Sequence, residues 1–332
     1  MNTPEPSIDT LRRTASGGEP AALAALGEAL LRAGGDIAVY HEAEAAIRAA
    51  HAGGDAEATA RLAMLCAMGV AAAADWRQAL VLLAQAAARG SRGARGQLRV
   101  LAGEAADDSD TDDADDWAGL AASIDLGLWS RPPPKRVLSV TPRVATIDGF
   151  VRRPVCDWII ARAKGRIVPA RVFDVATGAA AQADSRTNSA VEFNFADTDV
   201  VIALLRAYIA ASIDVPVGAL EPTQVLHYAP GQAFAPHYDF LDVGVPGYAL
   251  EAARNGQRIA TFLVYLNDGF EGGETDFPLI HLRAKAPPGG ALYFANVDQA
   301  GAPDGRTLHA GLAPTSGEKW LLSQWVRNRV AG

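Results

Sequence analysis

Residues 224–240 read QVLHYAPGQAFAPHYDF, and they place His237 and Asp239 two positions apart in a segment of strand-forming residues. On a β-strand, residues i and i+2 point to the same side, so both side chains can reach one metal ion. His309 follows 70 residues after Asp239, and Lys319 follows ten residues after His309. Two imidazoles and one carboxylate form the facial ligand set of non-haem iron sites, which leaves coordination positions open.

The same three residues allow two other interpretations. Two histidines and one aspartate can also bind zinc, and such residues occur in ordinary polar packing. The surrounding sequence, rather than the ligands alone, therefore has to distinguish these possibilities.

From about residue 136 the sequence is typical of a β-rich domain. Two stretches, 154–165 and 197–213, have the apolar spacing of helices. We expect an α+β fold in which a distorted jelly roll is supported by helices. The predicted strands are short, rich in β-branched and aromatic residues, and separated by Gly, Pro and Asn; they include RVLSV, RVATIDGF, EPTQVLHY, RIATFLVYL, GALYF and WLLSQWV.

Residues 1–105 are rich in Ala and Leu and repeat with a period of 36 residues. A period of this length, with Gly at turns, predicts stacked helical hairpins. The segments 54–69 and 75–90 resemble the SEL-type branch of the TPR-like repeats, and an Ala-rich helical bundle without true repeats is the alternative. The equivalent positions are Gly18, Gly54 and Gly90, then Ala22, Ala58 and Ala94, then Leu26, Leu62 and Leu98.

Residues 106–135 are predicted to be a linker between this all-α domain and a catalytic domain at 136–332. The run 107–116 contains seven aspartates in ten residues, and like charges at that density resist packing. A calcium loop is the other interpretation, but the EF-hand spacing is missing. Trp117 to Trp129 is expected to form a short helix that packs back on a neighbour.

Composition limits the classes of function. The 332 residues carry a net charge of −8, which argues against a surface for nucleic acid. No stretch reaches membrane-spanning length, and the N-terminal sequence lacks the apolar core of a signal peptide. Cys66 and Cys156 are predicted to be buried free thiols in a reducing compartment, so we expect a cytoplasmic protein. Only four lysines stand among 30 basic residues, which, together with the heavy use of alanine, indicates a GC-rich bacterial genome.

Four segments after His237 and Asp239 stand in a recognisable order. They are RIATFLVYLND (258–268), GFEGGETDFP (269–278), APPGGALYF (286–294) and LHAGLAPTSGEKWLLSQWV (308–326). The chain resembles the prolyl 4-hydroxylase-like branch of the iron(II)- and 2-oxoglutarate-dependent oxygenases over roughly 140–328, most closely over 223–326. The resemblance implies a double-stranded β-helix that uses Fe(II), 2-oxoglutarate and O2, with ascorbate in support.

Residue by residue, the resemblance implies a complete site. His237, Asp239 and His309 match the iron ligands, which are the catalytic residues. Lys319 matches the lysine that pairs with the distal carboxylate of 2-oxoglutarate, a charge-assisted contact in a dry pocket. In another context, Lys319 would be a solvent-facing residue of a turn.

Further cofactor contacts are expected from the strands. Tyr228 and Tyr265 match tyrosines that line the co-substrate pocket and offer hydroxyls to the same carboxylate. Thr261, in phase with Tyr265 on one strand, is expected to face the pocket as well. Aromatic residues in strands are more often part of a core, and this alternative stays open for both tyrosines.

The substrate side is expected to involve Arg186 and Trp325. Arg186 falls in an Arg-Thr-Ser segment of the family near the substrate entrance, but here Asn188 replaces the usual serine, which puts the substrate contact in doubt. A core position is the alternative for Trp325. The insertion 241–257 is a candidate lid or a loose surface loop.

The resemblance predicts hydroxylation of an aliphatic C–H bond, with release of succinate and CO2. Because related halogenases lack the carboxylate supplied here by Asp239, hydroxylation is the preferred reaction. A prolyl residue in a peptide or protein is the expected substrate, docked by the helical repeats, and no nucleic acid or membrane is expected as a partner. The alternatives are a hydroxylase of a free amino acid or small metabolite, a non-catalytic adaptor with a degenerate barrel, and a zinc-binding cupin-like hydrolase.

Overall fold

The computed structural model describes residues 6–70, 73–106, 116–174, 179–181 and 184–330. These residues divide into two compact units. The first unit is Met1–Trp129 together with Asn194–Leu205, and the second is Ser130–Phe193 together with Arg206–Gly332. The acidic residues 107–115 of the predicted linker lie outside the described residues, and the domain boundaries at 105 and 135 stay predictions.

The first unit is helical, as the sequence predicts. Helices α2, α4 and α6 begin at 36-residue intervals and bury Leu26, Leu62 and Leu98, respectively. The spacing found in the sequence is therefore a spacing of helices, whereas the assignment to SEL-type repeats stays a prediction. In the described part of this unit the complete helices are α1 (Ile8–Ala15), α2 (Pro20–Ala33), α3 (Ile37–Ala52), α4 (Ala56–Met68), α5 (Trp76–Ala88), α6 (Arg92–Ala102) and α7 (Trp117–Ser123).

Capping residues explain where several of these helices begin and end. The carboxylates of Asp55 and Asp75 accept backbone N–H groups in the first turns of α4 and α5. Gly69 and Gly103 end α4 and α6 in the left-handed conformation that favours glycine. Helix α7 packs on α5 and α6, so the short helix expected after Trp117 is confirmed.

A segment from the middle of the chain completes the first unit. Residues 194–205 include the start of α9 (Val200–Ser212). The Gln97 side chain accepts a hydrogen bond from the backbone N–H of Val200 at 2.9 Å, and the Arg61 guanidinium donates to the carbonyl of Thr198 at 3.1 Å. The helical unit is therefore not built from the N-terminal sequence alone.

The second unit contains two sheets that enclose one core. An eight-stranded sheet has the order β1-β2-β13-β9-β16-β7-β6-β3, and a four-stranded sheet has the order β12-β11-β14-β8. The smaller sheets pair β10 with β15 and β4 with β5. The strands are β1 (Arg136–Ser139), β2 (Val144–Ile147), β3 (Val168–Pro169), β4 (Val172–Asp174), β5 (Ala179–Ala181), β6 (Ser189–Phe193), β7 (Thr223–Tyr228), β8 (Phe234–His237), β9 (Arg258–Tyr265), β10 (Phe270–Gly272), β11 (Thr275–Phe277), β12 (Leu282–Ala284), β13 (Ala291–Ala295), β14 (His309–Gly311), β15 (Pro314–Gly317) and β16 (Lys319–Arg327).

Buried residues from both main sheets form one hydrophobic cluster. Tyr265, Phe294 and Leu321 belong to the eight-stranded sheet, and Phe277 and Ala284 belong to the four-stranded sheet. The sheets therefore pack face to face, and the predicted double-stranded β-helix of jelly-roll type is confirmed. The α+β class is confirmed as well, with α8 (Arg153–Ala163) and α10 (Pro246–Asn255) added to the sheets.

The insertion 241–257 contains α10, which the sequence did not predict. Hydrogen bonds between Leu241 and Gln257 join the two ends of the insertion. The Gln257 side chain accepts from the N–H of Leu241 at 2.6 Å and donates to its carbonyl at 2.7 Å. Arg327 donates to Glu251 of α10 at 2.8 Å. A role for this insertion as a lid stays a prediction.

The remaining general expectations have mixed outcomes. Cys156 is a buried free thiol as predicted, whereas the free thiol of Cys66 is partly exposed. Among the described residues, no helix combines the length and apolar character that crossing a bilayer requires.

Candidate functional site

Three side chains that could hold a metal ion converge at the edge of the four-stranded sheet. One ligand atom from each of His237, Asp239 and His309 lies within 4.8 Å of the other two. Asp239 Oδ1 is 3.6 Å from His237 Nε2, and Asp239 Oδ2 is 3.5 Å from His309 Nε2. The two histidines come together because β8 and β14 are antiparallel neighbours in which His309 pairs with His237.

Backbone carbonyls orient both imidazole rings. His237 Nδ1 is 2.8 Å from the carbonyl oxygen of Ala235, and His309 Nδ1 is 3.0 Å from that of Thr307. A carbonyl oxygen can only accept, so each Nδ1 donates its hydrogen. In the neutral ring, Nε2 then carries the lone pair, and it faces the other two ligands.

The environment sets the protonation states that metal binding requires. Burial raises the pKa of Asp239, but His309, His237 and the hydroxyl of Thr261 outweigh burial and lower that pKa below its usual range. Burial, together with neighbouring His237, lowers the pKa of His309 to about 4. Near neutral pH the site therefore holds a carboxylate and a neutral imidazole, which are the ligand forms that bind a metal.

Lys319 is a fully buried lysine that lines the same cavity. Its Nζ has no hydrogen-bond partner among the residues that the structure describes, and it lies 4.6 Å from the ring centre of Tyr228. Burial and the charge of Lys285 lower the pKa of Lys319 to about 7, against the opposing effect of Glu274. An unpaired buried ammonium costs free energy, which the carboxylate of a ligand would recover.

Alternate residues of three neighbouring strands form the wall of this cavity. Because side chains alternate along a strand, positions two apart on β7 and β16 face inward together. Leu263 of β9 adds to the same apolar surface. The residues from β7 and β16 are Gln224, Leu226, Tyr228, Lys319, Leu321, Ser323 and Trp325.

Tyr228 and Tyr265 are the two tyrosines expected to bind the cofactor, and their surroundings differ. Tyr228 lines the cavity with Lys319, and burial raises the pKa of its hydroxyl to about 12. Tyr265 is in phase with Leu263 on β9, and its hydroxyl donates to the carbonyl of Ala284 at 3.2 Å and is 3.1 Å from the hydroxyl of Thr275. The Tyr265 hydroxyl is therefore engaged by protein groups, although its proposed role in binding stays a prediction.

Thr261 is in phase with Leu263 on the same strand. Its hydroxyl donates to Asp239 Oδ2 at 2.6 Å, and it accepts a hydrogen bond from the side-chain amide of Asn296 at 3.1 Å. The structure thus connects Thr261 to the carboxylate of Asp239, and its contact with the cofactor stays a prediction.

Arg186 and Trp325 both line the cavity. The Arg186 guanidinium lies over the ring of Phe234 at 4.6 Å and donates to the side-chain oxygen of Asn188 at 3.2 Å. Asn188, which stands where serine is usual in the resembling family, therefore supplies a hydrogen-bond acceptor for Arg186. The guanidinium carbon of Arg258 lies 3.6 Å from the ring centre of Trp325. The indole N–H of Trp325 is buried and has no hydrogen-bond partner within the described ranges.

Sequence reasoning did not find several members of the site. Thr275 and Gly311 line the cavity from β11 and β14, and Phe234 stacks on His237 with ring centres 3.5 Å apart. Gln224 and Ser323 could have been found from strand alternation. Gln224 is in phase with Tyr228 on β7, and Ser323 is in phase with Lys319 on β16. Asn296 had no comparable signal.

Comparisons with known proteins identify the family of this chain. Residues 223–327 match the family described as the 2OG-Fe(II) oxygenase superfamily. Prolyl 4-hydroxylase 1 of Arabidopsis thaliana is 32% identical over 208 residues, which cover 58% of this chain and 72% of that protein. Probable prolyl 4-hydroxylase 6 of the same plant is 33% identical over 216 residues, covering 59% and 72%. The solved viral collagen prolyl hydroxylase of Paramecium Bursaria Chlorella virus-1 is 30% identical, with 55% and 95% covered and a TM-score of 0.43.

The affinity for 2-oxoglutarate should fall as the pH rises above about 7, the pKa to which burial lowers Lys319. Above that pH the free amine is neutral, and binding a carboxylate must draw a proton onto it. The dissociation constant should then rise by up to about tenfold per pH unit. Calorimetric titration at pH 8.5, in two buffers of different ionisation enthalpy, would detect the proton uptake.

Lys319→Arg is the matched variant for this experiment. A guanidinium stays protonated when buried, so the slope with pH should largely disappear even if the affinity is lower. Equal affinity from pH 6.5 to 8.5 in the unaltered protein, without proton uptake, would contradict the proposed contact.

Proposed function

The chain belongs to the prolyl 4-hydroxylase branch of the 2OG-Fe(II) oxygenase superfamily, and we propose that it hydroxylates a prolyl residue in a peptide or protein. It is a 2-oxoglutarate-dependent dioxygenase whose cofactors are Fe(II), 2-oxoglutarate and O2. The observation that carries the proposal is the convergence of His237, Asp239 and His309 in one cavity with the unpaired ammonium of Lys319. The similar plant proteins are named as prolyl 4-hydroxylases, which supports proline as the target.

We assign Fe(II) to His237, Asp239 and His309, and the distal carboxylate of 2-oxoglutarate to Lys319 with Tyr228 beside it. When bound, Fe(II) supplies the redox chemistry by which O2 converts 2-oxoglutarate into succinate and CO2 and an aliphatic C–H bond into C–OH. The two imidazoles present their Nε2 atoms to the metal, and Asp239 offsets part of the metal charge. Ascorbate is expected to support turnover by keeping the iron reduced.

The walls of the cavity exclude water from the reacting groups. Leu226, Leu263 and Leu321 present apolar side chains to the same cavity as Lys319 and the three ligands. In such a dry site, the attraction between the ammonium of Lys319 and a carboxylate is stronger than in water. The same walls would hold 2-oxoglutarate in one orientation, which is the main contribution a protein makes to this type of chemistry.

We assign the substrate side to Arg186 and Trp325. The free indole N–H of Trp325 can donate to a peptide carbonyl, and its ring offers a flat surface to a pyrrolidine. Arg258 stacks on the ring of Trp325 and is itself held by the carboxylate of Glu221 at 2.6 and 2.9 Å. These contacts restrain Trp325, so a substrate would meet a fixed wall.

Purified protein supplied with Fe(II), 2-oxoglutarate, ascorbate and a proline-containing peptide should release succinate and add one oxygen atom to proline. His309→Ala should reduce both signals to background because one of three metal ligands is lost. Mass spectrometry of the peptide and a succinate assay would measure the two outcomes.

His281→Asn provides the control for this experiment. His281 is exposed and has a positive φ of 51° that asparagine tolerates, so activity should be unchanged. Hydroxylation of free proline but of no peptide would overturn the assigned substrate, and full activity of His309→Ala would overturn the assigned metal site.

We further propose that residues 1–105 are SEL-type TPR-like repeats that recruit a protein substrate to a catalytic domain at 136–332, through the linker 106–135. The support is an apolar groove of the helical unit, lined by Leu80, Val81 and Ala84 of α5 and by Trp117 and Ala121 of α7, a helix that falls within the predicted linker. Val81 is 48% exposed in that groove, so an apolar helix of the substrate protein would cover it. The free thiols support a reducing, cytoplasmic location in a bacterial cell.

Val81→Glu should weaken the hydroxylation of a protein substrate while leaving a short peptide unaffected, because a charge in an apolar groove opposes docking. We expect the KM for the protein to rise by about tenfold or more, which corresponds to a loss of roughly 1.4 kcal/mol. Steady-state kinetics on a protein found by proteome-wide mass spectrometry would measure it. Ile37→Glu, at a position 66% exposed outside the groove, is the matched control, and equal effects of the two changes would contradict recruitment by this groove.

A further inference from the structure

We propose that Asn296 and Thr261 form a positioning pair that fixes the carboxylate of Asp239 for metal binding. The proposal rests on the function assigned to His237, Asp239 and His309, and it concerns two residues that do not contact the metal. Asn296 follows the end of β13, and Thr261 lies on β9, the neighbouring strand. Both are buried, with 0% and 1% of their surfaces exposed, respectively.

The hydrogen bonds between these residues run in one direction. The amide nitrogen of Asn296 donates to the hydroxyl of Thr261 at 3.1 Å, and that hydroxyl donates to Asp239 Oδ2 at 2.6 Å. A hydroxyl has one hydrogen to give. Because Asn296 occupies a lone pair of Thr261, the single hydrogen of Thr261 is directed toward Asp239. The pair therefore restricts the rotation of the carboxylate about its terminal bond.

Backbone contacts fix the position of Asn296 itself. Its N–H donates to the carbonyl of Ile259 at 2.8 Å, and its carbonyl accepts from the N–H of Asp304 at 3.0 Å. Asp304 begins the turn 304–307, and the carbonyl of Thr307 in that turn accepts from His309 Nδ1 at 3.0 Å. Asn296 thus holds Thr261, which donates to Asp239, and also holds the turn that orients His309.

The hydrogen bonds of the Asn296 side chain do not by themselves explain why an asparagine occupies this position, because only one end of its amide has a partner among the described residues. The side-chain oxygen of Asn296 is buried without a hydrogen-bond partner in the part of the chain that the structure describes. Leaving an acceptor unpaired in a core costs free energy, and an apolar residue of similar size would avoid that cost. The hydroxyl of Thr261 is the one side-chain group that the amide of Asn296 serves in the described residues.

The effect of such a pair is on metal affinity. A carboxylate that rotates freely must lose that freedom when it binds a metal, and it is also free to turn away from the site. Hydrogen bonds from groups outside the ligand set remove this cost in advance, and their loss typically weakens metal binding by about 10- to 100-fold. We therefore expect Thr261 and Asn296 to act on the affinity for the metal before any substrate binds.

Thr261→Val and Thr261→Ser separate the hydroxyl from the packing. Valine keeps the shape of threonine without the hydroxyl, so the dissociation constant for Co(II), used as an air-stable probe for Fe(II), should rise by about 10-fold or more. Serine keeps the hydroxyl and should stay within about threefold of the unaltered protein. Calorimetry would give the affinity, and the visible absorption of bound Co(II) would report a changed ligand field in the valine variant.

A folding control and a second variant complete the experiment. The melting temperatures of the metal-free proteins show whether each variant is folded. If Thr261→Val fails to fold, Asn296→Ala carries the experiment, because it removes the donor to Thr261 and should weaken Co(II) binding by about fivefold or more. Equal Co(II) affinity in the tested variant and the unaltered protein would overturn the positioning role. Weak binding by both Thr261→Val and Thr261→Ser would also overturn it, since packing would then be the cause.

Failure of the positioning role is distinct from failure of the proposed metal site. If the unaltered protein did not bind Co(II), or if His309→Ala bound it equally well, the assignment of the three ligands would fall. If the unaltered protein bound Co(II) and His309→Ala did not, the ligands would stand, and the Thr261 variants alone would decide the role of the pair.

Discussion

The pairing of β8 with β14 is the constraint on which the rest of the structure depends. It places His309 opposite His237 on antiparallel neighbours, and the chain after β8 then brings Asp239 to the same point. Side chains alternate along a strand, so a shift of one residue in this pairing would turn His309 away from the site. The register is supported on both sides, because β14 also pairs with β11 and the turn before His309 orients the ring through Thr307. The sheet therefore fixes the two imidazoles, and the bend that follows β8 adds the carboxylate of Asp239.

The second requirement is a dry cavity, and it has a cost in stability. Lys319 and Tyr228 face each other across β16 and β7, and both are buried. A cation buried without a counter-ion opposes folding, whereas an apolar residue at the same position would favour it. The protein maintains this unfavourable arrangement because the eight-stranded sheet and its core hold β16 in place on both sides. The unfavourable burial becomes useful when a ligand supplies the missing negative charge.

Sequence reasoning was most successful where local order carries the information. The strand patterns, the two histidines, Asp239 and Lys319 could be recognised because their types and spacing are visible along the chain. Alternation along strands identifies which residues share a face, but it does not give the hydrogen-bond partners of their side chains. Tyr265 and Thr261 share a face with Leu263, and their hydroxyls contact Thr275 and Asp239 of the cavity lining. The positions of Asn296 and of residues 194–205 depend on contacts between distant parts of the chain, and no local pattern predicts such contacts.

Diffraction from crystals grown with Co(II) and 2-oxoglutarate, recorded at the cobalt absorption edge, would examine the central assignment most directly. The account predicts one anomalous peak bonded to His237, Asp239 and His309, with the distal carboxylate of 2-oxoglutarate on the Nζ of Lys319. A peak bonded to other residues, or a co-substrate carboxylate away from Lys319, would contradict it.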